Sequence, residues 1–261
     1  MFPIEQEKGD AFVKYAMDSG VNHIDVAPTY GDAEVKLGKW VKEYRDDVFL
    51  GCKTRERTKK EAEEELRRSL ERLQTDYFDL YQFHGLDTPG DLATVVGEDG
   101  ALQAFKEAKE EGVINHIGIT SHNPVNILEA LELHDFDTVL LPVNYVLHAH
   151  PEPQNDYEPV LEKCSERNIG VIAMKSPAKG PYPTEEKTRN TWYQPFTARD
   201  EIGEALRFTL SQPVTTAATS SDMEIARMQI ELGENFSPME QGEQMALLAK
   251  ASDYRPLFPR S

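Results

Sequence analysis

Four polar residues in the first third of the chain have types and spacing suited to proton transfer. Asp25 ends the run HID, Tyr30 follows it after a turn, Lys53 ends FLGCK, and His84 ends FDLYQFH. A buried aspartate–lysine pair satisfies both charges, and a cation beside a tyrosine lowers the pKa of its hydroxyl. A tyrosine tuned in this way can act as a general acid. We therefore predict that Asp25 pairs with Lys53 and that Lys53 lowers the pKa of Tyr30.

Each of these residues also has an ordinary structural interpretation when it is taken alone. Asp25 suits a turn or a helix cap, and Lys53 suits a solvated strand end. His84 suits a structural histidine, and Tyr30 suits packing. The combination of the four, each beside the end of a strand, is what favours a chemical role.

The elements that would position these residues alternate between strand and helix. The predicted strands are Val21–Asp25, Val48–Cys52, Tyr77–Phe83, Ile114–Thr120, Thr138–Val143, Gly170–Met174 and Val214–Ala218. The predicted helices are Asp10–Ser19, Ala33–Tyr44, a helix from the capping residue Thr58 to Leu73, Ala101–Glu111, Val125–Leu133, Pro159–Arg167, Ala198–Ser211, Asp222–Leu232 and Glu240–Ser252. Such alternation indicates βαβ units and a parallel sheet. We predict one α/β domain over residues 1–261, with seven strand–helix units.

Polar side chains gather where the predicted strands end. The residues at or just past these ends are Asp25, Lys53, His84, Ser121, Asn144 and Lys175. In a barrel of parallel strands these ends meet at one mouth, where active sites are built. The longest connections, 85–100, 145–156 and 176–197, also follow strands, so one face is predicted to be functional.

Composition limits the classes of partner. The 261 residues carry a net charge of −18, which argues against nucleic acid or an anionic membrane surface as the main partner. Two cysteines cannot form a disulfide framework. No window is apolar enough for a membrane span, and the first residues do not have the pattern of a signal peptide. We expect a cytoplasmic protein.

The motifs around these residues resemble the aldo-keto reductase family over nearly the whole chain. HIDVAPTYGDAEVKLG, FLGCKT and DLYQFHGLD are similar to the segments that carry the family's catalytic aspartate, tyrosine, lysine and histidine. GVINHIGITSHNP and GVIAMKSPAKG resemble one branch of the family, with GxTxH after strand five and a Met-Lys pair at strand seven. The resemblance implies a (β/α)8 TIM barrel.

The resemblance also implies a function. It suggests an NAD(P)H-dependent oxidoreductase that reduces an aldehyde or ketone by hydride transfer, with NADPH as cofactor, NADH as the other option, and no metal. Tyr30 would donate the proton, Asp25 and Lys53 would poise it, and His84 would orient the carbonyl.

The cofactor contacts implied by the resemblance depart from the family pattern in several places. The candidate residues are Ser121, Asn144, Lys175, Ser220, Ser221 and Arg227. The family's asparagine beside Ser121 is lost or displaced to Asn123, and Asn144 replaces its strand-six glutamine. The segment VTTAATSSDMEIARM resembles the phosphate loop without its Pro-Gly. Ser220, Ser221 and Arg227 are the predicted phosphate contacts, because helix N-termini favour anions; an ordinary capped helix with a solvated arginine is the alternative.

Two other functions remain open at this point. His148 and His150, with Glu152 and the nearby His122 and His84, suggest a metal-dependent hydrolase on the same barrel. A nucleotide-binding redox sensor with little turnover would keep the fold and bind nucleotide without reducing carbonyls.

The start of the chain differs from the family pattern. Relatives have a strand before the helix predicted at Asp10–Ser19, whereas MFPIEQEKG contains no apolar run for one. We expect seven barrel strands, with Val21–Asp25 and Val214–Ala218 as neighbouring edges around a gap. A start codon assigned too late would explain this, and so would an open barrel covered by another segment or subunit. A monomer is the default expectation, although an unpaired edge favours association.

Overall fold

The computed structural model describes residues 4–258. Its strands are β1 (His23–Asp25), β2 (Phe49–Thr54), β3 (Phe78–Phe83), β4 (Ile114–Thr120), β5 (Thr138–Pro142), β6 (Gly170–Met174), β7 (Ala178–Gly180), β8 (Gln194–Pro195) and β9 (Thr216–Ala217). Its helices are α1 (Gln6–Asp18), α2 (Ala33–Tyr44), α3 (Lys59–Leu73), α4 (Pro89–Val96), α5 (Ala101–Glu110), α6 (Pro124–Leu133), α7 (Tyr145–His148), α8 (Glu158–Glu166), α9 (Arg199–Leu210), α10 (Met223–Gly233) and α11 (Gln241–Ala251). No helix among these residues is both long enough and apolar enough to cross a membrane.

Seven strands form one sheet in the order β1-β2-β3-β4-β5-β6-β9, and β7 and β8 form a separate pair. The pairs β1–β2, β2–β3, β3–β4 and β6–β9 are parallel. Over the described residues this confirms the predicted seven-stranded α/β sheet, in which β1 and β9 stand at the two ends of the order. The first three residues of the stretch predicted to contain no strand lie outside the described residues.

The chain divides into two compact units, which are described separately. The N-terminal unit comprises Ile4–His122 and Asn126–Val139; the C-terminal unit comprises Asn123–Val125 and the chain from Leu140 onward. The single domain over residues 1–261 therefore stays a prediction.

The core of the N-terminal unit fixes the strands that carry the candidate residues. On α3, the apolar residues Ala62, Leu66, Leu70 and Leu73 are buried at intervals of three and four, which is the spacing of one helix face. Phe83 of β3 stacks on Phe105 of α5, with ring centroids 4.0 Å apart. Close packing of this kind resists displacement of a backbone, so β2 and β3 hold their side chains in fixed directions.

The C-terminal unit has its own core, formed by residues of α7, α9, α10 and α11 with Phe196 and Met239. Phe196 and Tyr193 are buried in the long connection after β6, whereas Trp192 is 46% exposed. Two of these three aromatic residues therefore pin the connection to the protein, and β7 and β8 form an antiparallel ribbon within it.

Several local predictions were wrong. Helix α1 begins four residues before the predicted Asp10. Gly9 lies within the helix instead of before it, and Asp10 accepts a hydrogen bond from the Trp40 indole at 2.7 Å. Thr58 does not cap α3 through its side chain; its hydroxyl donates to the Glu61 carboxylate at 2.7 Å.

Helices α4 and α7 and the β7–β8 ribbon were missed. Helix α4 carried a readable signal, because Thr88 caps it by accepting a hydrogen bond from the Asp91 amide at 3.1 Å and Pro89 occupies its first turn. These residues had been assigned to the long connection 85–100.

Candidate active site

Asp25 and Lys53 form the ion pair predicted from the sequence. Asp25 ends β1 and is paired in register with Gly51, and Lys53 lies two residues further along β2, on the same face. The Lys53 ammonium donates to Oδ2 of Asp25. The Lys53 side chain is 1% exposed and that of Asp25 is 18% exposed. Burial lowers the pKa of Lys53, but the neighbouring Asp25 and Tyr30 outweigh it and leave that pKa above its usual value.

Tyr30 lies in the turn after β1, where its amide donates to the carbonyl of Ala27 at 2.9 Å. The Lys53 ammonium nitrogen is 5.2 Å from the centroid of the Tyr30 ring. Lys53 lowers the pKa of Tyr30 as predicted, but the expected net lowering of this pKa was wrong. Burial raises this pKa, and although the charge of Lys53 and a hydrogen bond from it lower it, burial dominates. Lys53 thus moderates the pKa without bringing it below the usual value.

His84 follows β3 directly and meets Tyr30 edge to face, with ring centroids 5.7 Å apart. Its amide donates to the Thr54 carbonyl at 2.8 Å, which fixes its backbone to the end of β2. Its Nδ1 lies 3.4 Å from the hydroxyl oxygen of Thr29. Burial, followed by the charge of Lys53, lowers the pKa of His84 to about 3. The imidazole is therefore neutral at physiological pH.

These four residues, which we call the strand-end cluster, thus lie together within the N-terminal unit. A neutral histidine and a protonated tyrosine border a buried ammonium group. Such an arrangement can donate a proton to an oxygen atom and stabilise the tyrosinate that remains.

Ser121, the first cofactor candidate, lies just past β4 and is held by the loop after β3. Its hydroxyl is 2.9 Å from the carbonyl oxygen of Leu86 and 2.9 Å from Oδ1 of Asp87. Asp87 also accepts from the His122 amide at 2.7 Å, and its Oδ2 lies 3.2 Å from Nδ1 of His122. Burial raises the pKa of Asp87, but the hydrogen bonds from His122 and Ser121 outweigh it and hold this pKa well below its usual range.

Asn144 and Lys175 lie next to each other in the C-terminal unit. Oδ1 of Asn144 caps α7 by accepting from the Leu147 amide at 2.9 Å, and its Nδ2 donates to the Lys175 carbonyl at 3.1 Å. Lys175 has a left-handed φ of 60°, and its ammonium nitrogen lies 5.3 Å from the centroid of the Trp192 ring. The structure therefore uses both ends of the Asn144 amide to hold local backbone.

The start of α10, predicted as the phosphate contact, carries a carboxylate. Asp222 caps this helix by accepting from the amides of its first turn at 3.2 Å. Ser221 donates to the Asn190 carbonyl at 2.7 Å, and Ser220 accepts from the Asp222 amide at 3.2 Å. Arg227 is exposed on α10. The helix dipole is thus complemented by Asp222 itself, which is the ordinary capped helix weighed above.

Two histidines of the hydrolase hypothesis, His148 and His150, lie within hydrogen-bond distance of groups nearby in the chain. Nδ1 of His148 lies 3.2 Å from the Tyr157 hydroxyl, and Nδ1 of His150 lies 2.8 Å from the Val146 carbonyl oxygen. Within residues 4–258 no group of three or more His, Cys, Asp or Glu side chains is arranged to hold a metal ion.

Sequence reasoning missed two residues that support the strand-end cluster. Gln82 on β3 donates to Asp25 at 3.0 Å, and a polar residue inside the apolar run LYQF was the available signal. Arg57 donates to the carbonyls of His84 and Gly85, both at 2.9 Å, and to Asp91 at 3.1 Å. It lies in the loop after β2, where no pattern marked it.

Comparison with solved structures shows the same fold. An aldo-keto reductase from Bacillus halodurans, AKR11C1 in its holo form, matches with a TM-score of 0.72 and 24% identity, over 97% of this chain and 90% of that one. An aldo-keto reductase from Bombyx mori, AKR2E4 in complex with NADP, matches with a TM-score of 0.69 and 19% identity, over 98% and 86%. The fold is therefore that of the (β/α)8 barrel with one strand missing from the described residues.

Sequence comparison identifies the family. The uncharacterized oxidoreductase YqkF of Bacillus subtilis is 30% identical over 190 residues, covering 67% of this chain and 58% of that protein. The aldo-keto reductase YhdN of the same organism is 33% identical over 165 residues, covering 58% and 45%. The chain thus spans about half the length of these curated relatives. The model of the aldo/keto reductase family matches residues 3–234, and the chain belongs to that family.

Proposed function

We propose that this protein reduces an aldehyde or ketone to an alcohol, with Tyr30 as the proton donor and NAD(P)H as the source of hydride. The observation that carries the proposal is the burial of the Lys53 ammonium between the carboxylate of Asp25 and the ring of Tyr30. A buried cation beside a tyrosine hydroxyl is suited to stabilise negative charge that develops there.

The raised pKa of Tyr30 suits a proton donor rather than a base. The hydroxyl stays protonated at neutral pH, so every molecule carries the proton that the carbonyl oxygen needs. Once Tyr30 has given up the proton, the Lys53 charge stabilises its phenolate. Neutral His84, whose pKa is about 3, can hold the carbonyl oxygen by a hydrogen bond without competing as an acid. Each of these residues thus has a separate role in one proton transfer.

The strand-end cluster supplies a proton and positive charge but no electrons. Cys52 and Cys164 are buried, and burial raises the pKa of both thiols, so neither is a ready reductant. A reduced nicotinamide supplies a hydride when bound. The proton donor and the positive charge of the strand-end cluster fit such a hydride source.

The residues proposed to bind the phosphates of the nucleotide fit that role less completely. Ser121, Asn144, Lys175, Ser220, Ser221 and Arg227 remain the residues proposed to hold the nucleotide. Asp222 puts a negative charge at the helix start where a phosphate would bind. The Bombyx mori relative is in complex with NADP, which supports NADPH as the first nucleotide to test, with NADH second. We also propose that the protein acts as a monomer in the cytoplasm, on a small carbonyl substrate.

Nucleotide titration followed by a substrate screen tests this function. Protein fluorescence is followed while NADPH or NADH is added, and aldehydes, ketones and quinones are then screened for nucleotide oxidation. The proposal predicts saturable binding and oxidation that requires a carbonyl compound. Saturable binding without oxidation by any carbonyl would instead support the redox sensor. Stoichiometric zinc in the purified protein would support the hydrolase.

A further inference from the structure

A fully buried glutamine, Gln82, contacts the candidate catalytic aspartate. Its Nε2 donates to Oδ1 of Asp25 at 3.0 Å, while Oδ2 of Asp25 accepts from Lys53. The two carboxylate oxygens therefore have different partners, one neutral and one charged. Because an amide NH2 group can only donate, this contact requires an unprotonated oxygen at Oδ1.

The register of the sheet places Gln82 there. Gln82 is paired with Lys53 on one side and with Gly118 on the other. Paired residues on neighbouring parallel strands point to the same face, so Gln82 and Lys53 project side by side toward Asp25. Both reach the same carboxylate from fixed backbone positions.

Two glycines border this contact. A Cβ atom on Gly51 would lie 3.4 Å from Oδ1 of Asp25 and 3.5 Å from Nε2 of His23. A Cβ atom on Gly118 would lie 3.0 Å from Cγ of Gln82, which is tighter than nine in ten real Cβ contacts. A Cβ atom at Gly118 would therefore press on Gln82, whereas one at Gly51 would make ordinary van der Waals contact with Asp25.

The glutamine is not explained by stability. Its Oε1 is buried and has no hydrogen-bond partner among the described residues, and an unpaired buried acceptor is destabilising. An apolar side chain of the same length would fill the space without that cost. The contact with Asp25 is therefore what distinguishes Gln82 from a packing residue.

We propose that Gln82 is a positioning residue that acts through Asp25, an inference that rests on the proposed carbonyl reduction. By holding Oδ1 it fixes the rotation of the carboxylate, so that Oδ2 stays on Lys53 and Lys53 stays beside Tyr30. The titratable groups beside Gln82 are Asp25 of β1, which accepts its hydrogen bond, and Lys53, its register partner on β2; His23 lies two residues before Asp25 on β1.

Two substitutions of matched size separate the hydrogen bond from packing. Gln82→Met keeps the length and removes the donor, whereas Gln82→Glu can still donate to Asp25 while the introduced carboxyl is protonated. Gln82→Met lowers kcat about tenfold or more at every pH, as expected for a displaced catalytic group, and leaves KM and nucleotide affinity nearly unchanged. Gln82→Glu has nearly wild-type kcat at acid pH and falls toward the Gln82→Met value as the introduced carboxyl ionises.

Thermal unfolding reports on the same contact without turnover. Burial and the charge of Asp25 raise the pKa of the introduced carboxyl in the folded state above its unfolded value of about 4.3, whereas the charge of Lys53, already paired with Asp25, opposes this rise only in part. The folded state then binds more protons, so the Gln82→Glu variant loses stability relative to wild type as pH rises through that window. Gln82→Met introduces no carboxyl group, so it shows no loss from this cause as pH rises through that window.

The outcomes separate this proposal from the proposed function. A wild-type protein that reduces no carbonyl compound overturns both. An active wild type with unchanged kcat in Gln82→Met overturns the positioning role alone. A Gln82→Glu variant whose kcat and stability follow the wild type at every pH overturns it equally. If Gln82→Met fails to fold, the pH profile of Gln82→Glu decides.

Discussion

The strand-end cluster and the start of α10 were both predicted from polar residues beside strand ends, yet they differ in what their side chains face. In the strand-end cluster Lys53 lies between Asp25 and Tyr30, with His84 against the tyrosine ring. At the start of α10, by contrast, Ser221 donates to a backbone carbonyl and Asp222 caps the helix.

This difference shows where residue type indicates function. Strand register and sheet spacing fix Lys53 and Asp25 to one face. Ser and Asp at a loop end have a local alternative, because they can satisfy nearby backbone amides and carbonyls. A polar residue on a strand therefore supports a functional interpretation more strongly than the same residue type at a helix start.

The largest effect expected in this comparison comes from Lys53→Met. It leaves the carboxylate of Asp25 without its charged partner, so we expect a loss of about 3 kcal/mol in the free energy of unfolding. It also removes the charge beside Tyr30, and kcat falls by about two to three orders of magnitude, the scale of losing one preorganised electrostatic contact. Denaturant titration and steady-state kinetics measure the two effects.

The matched control is Lys59→Met. Lys59 pairs with Glu107 at 2.6 Å on the surface, with the two side chains 39% and 54% exposed. An exposed, solvent-screened pair contributes little to stability, so both the free energy of unfolding and kcat are expected to stay close to wild type. Equal stability losses in the two variants would contradict a special role for the buried pair.

An intermediate effect is expected from Asp222→Asn at the start of α10. Asparagine caps helices about as well as aspartate, so stability changes little while a negative charge is removed. If a nucleotide phosphate binds at this helix, its affinity rises about fivefold, as follows from about 1 kcal/mol of repulsion in a solvated setting. Fluorescence titration with NADPH measures this, and unchanged affinity would place the phosphate elsewhere.

The effect that is smallest at neutral pH concerns His84, and it grows only as pH becomes acid. Because its folded pKa is about 3, below the usual value for histidine, the unfolded state binds more protons between these two values. Stability that is present at neutral pH is therefore lost as pH falls through that window. In His84→Gln this loss is smaller by about 1 kcal/mol for each pH unit within that window. Parallel Tm–pH curves for the two proteins would show that His84 does not titrate in this way.

The fold was predictable because the hydrophobic pattern of the sequence marks the strands. The strand-end cluster was predictable because its polar residues lie at or beside the ends of those strands. The pKa of Tyr30 was not, because it depends on how deeply the ring is buried, and burial outweighs the charge of Lys53. The contact from Gln82 to Asp25 depends on register between β1, β2 and β3, which no single segment encodes. Asp222 lies in the segment that resembles the phosphate loop. Its role as a helix cap was not predicted, because that role depends on the residue at which α10 begins.

The central claim is that the Tyr30 hydroxyl supplies the proton for carbonyl reduction, and Tyr30→Phe tests it most directly. Single-turnover reduction of a carbonyl found in the screen is measured with nucleotide already bound, beside Tyr145→Phe, which alters a buried ring in the core of the C-terminal unit. We predict a loss of about two to four orders of magnitude in rate for Tyr30→Phe, with nucleotide affinity unchanged and the Tyr145→Phe rate close to wild type. A Tyr30→Phe protein that reduces the carbonyl at the wild-type rate would contradict the account.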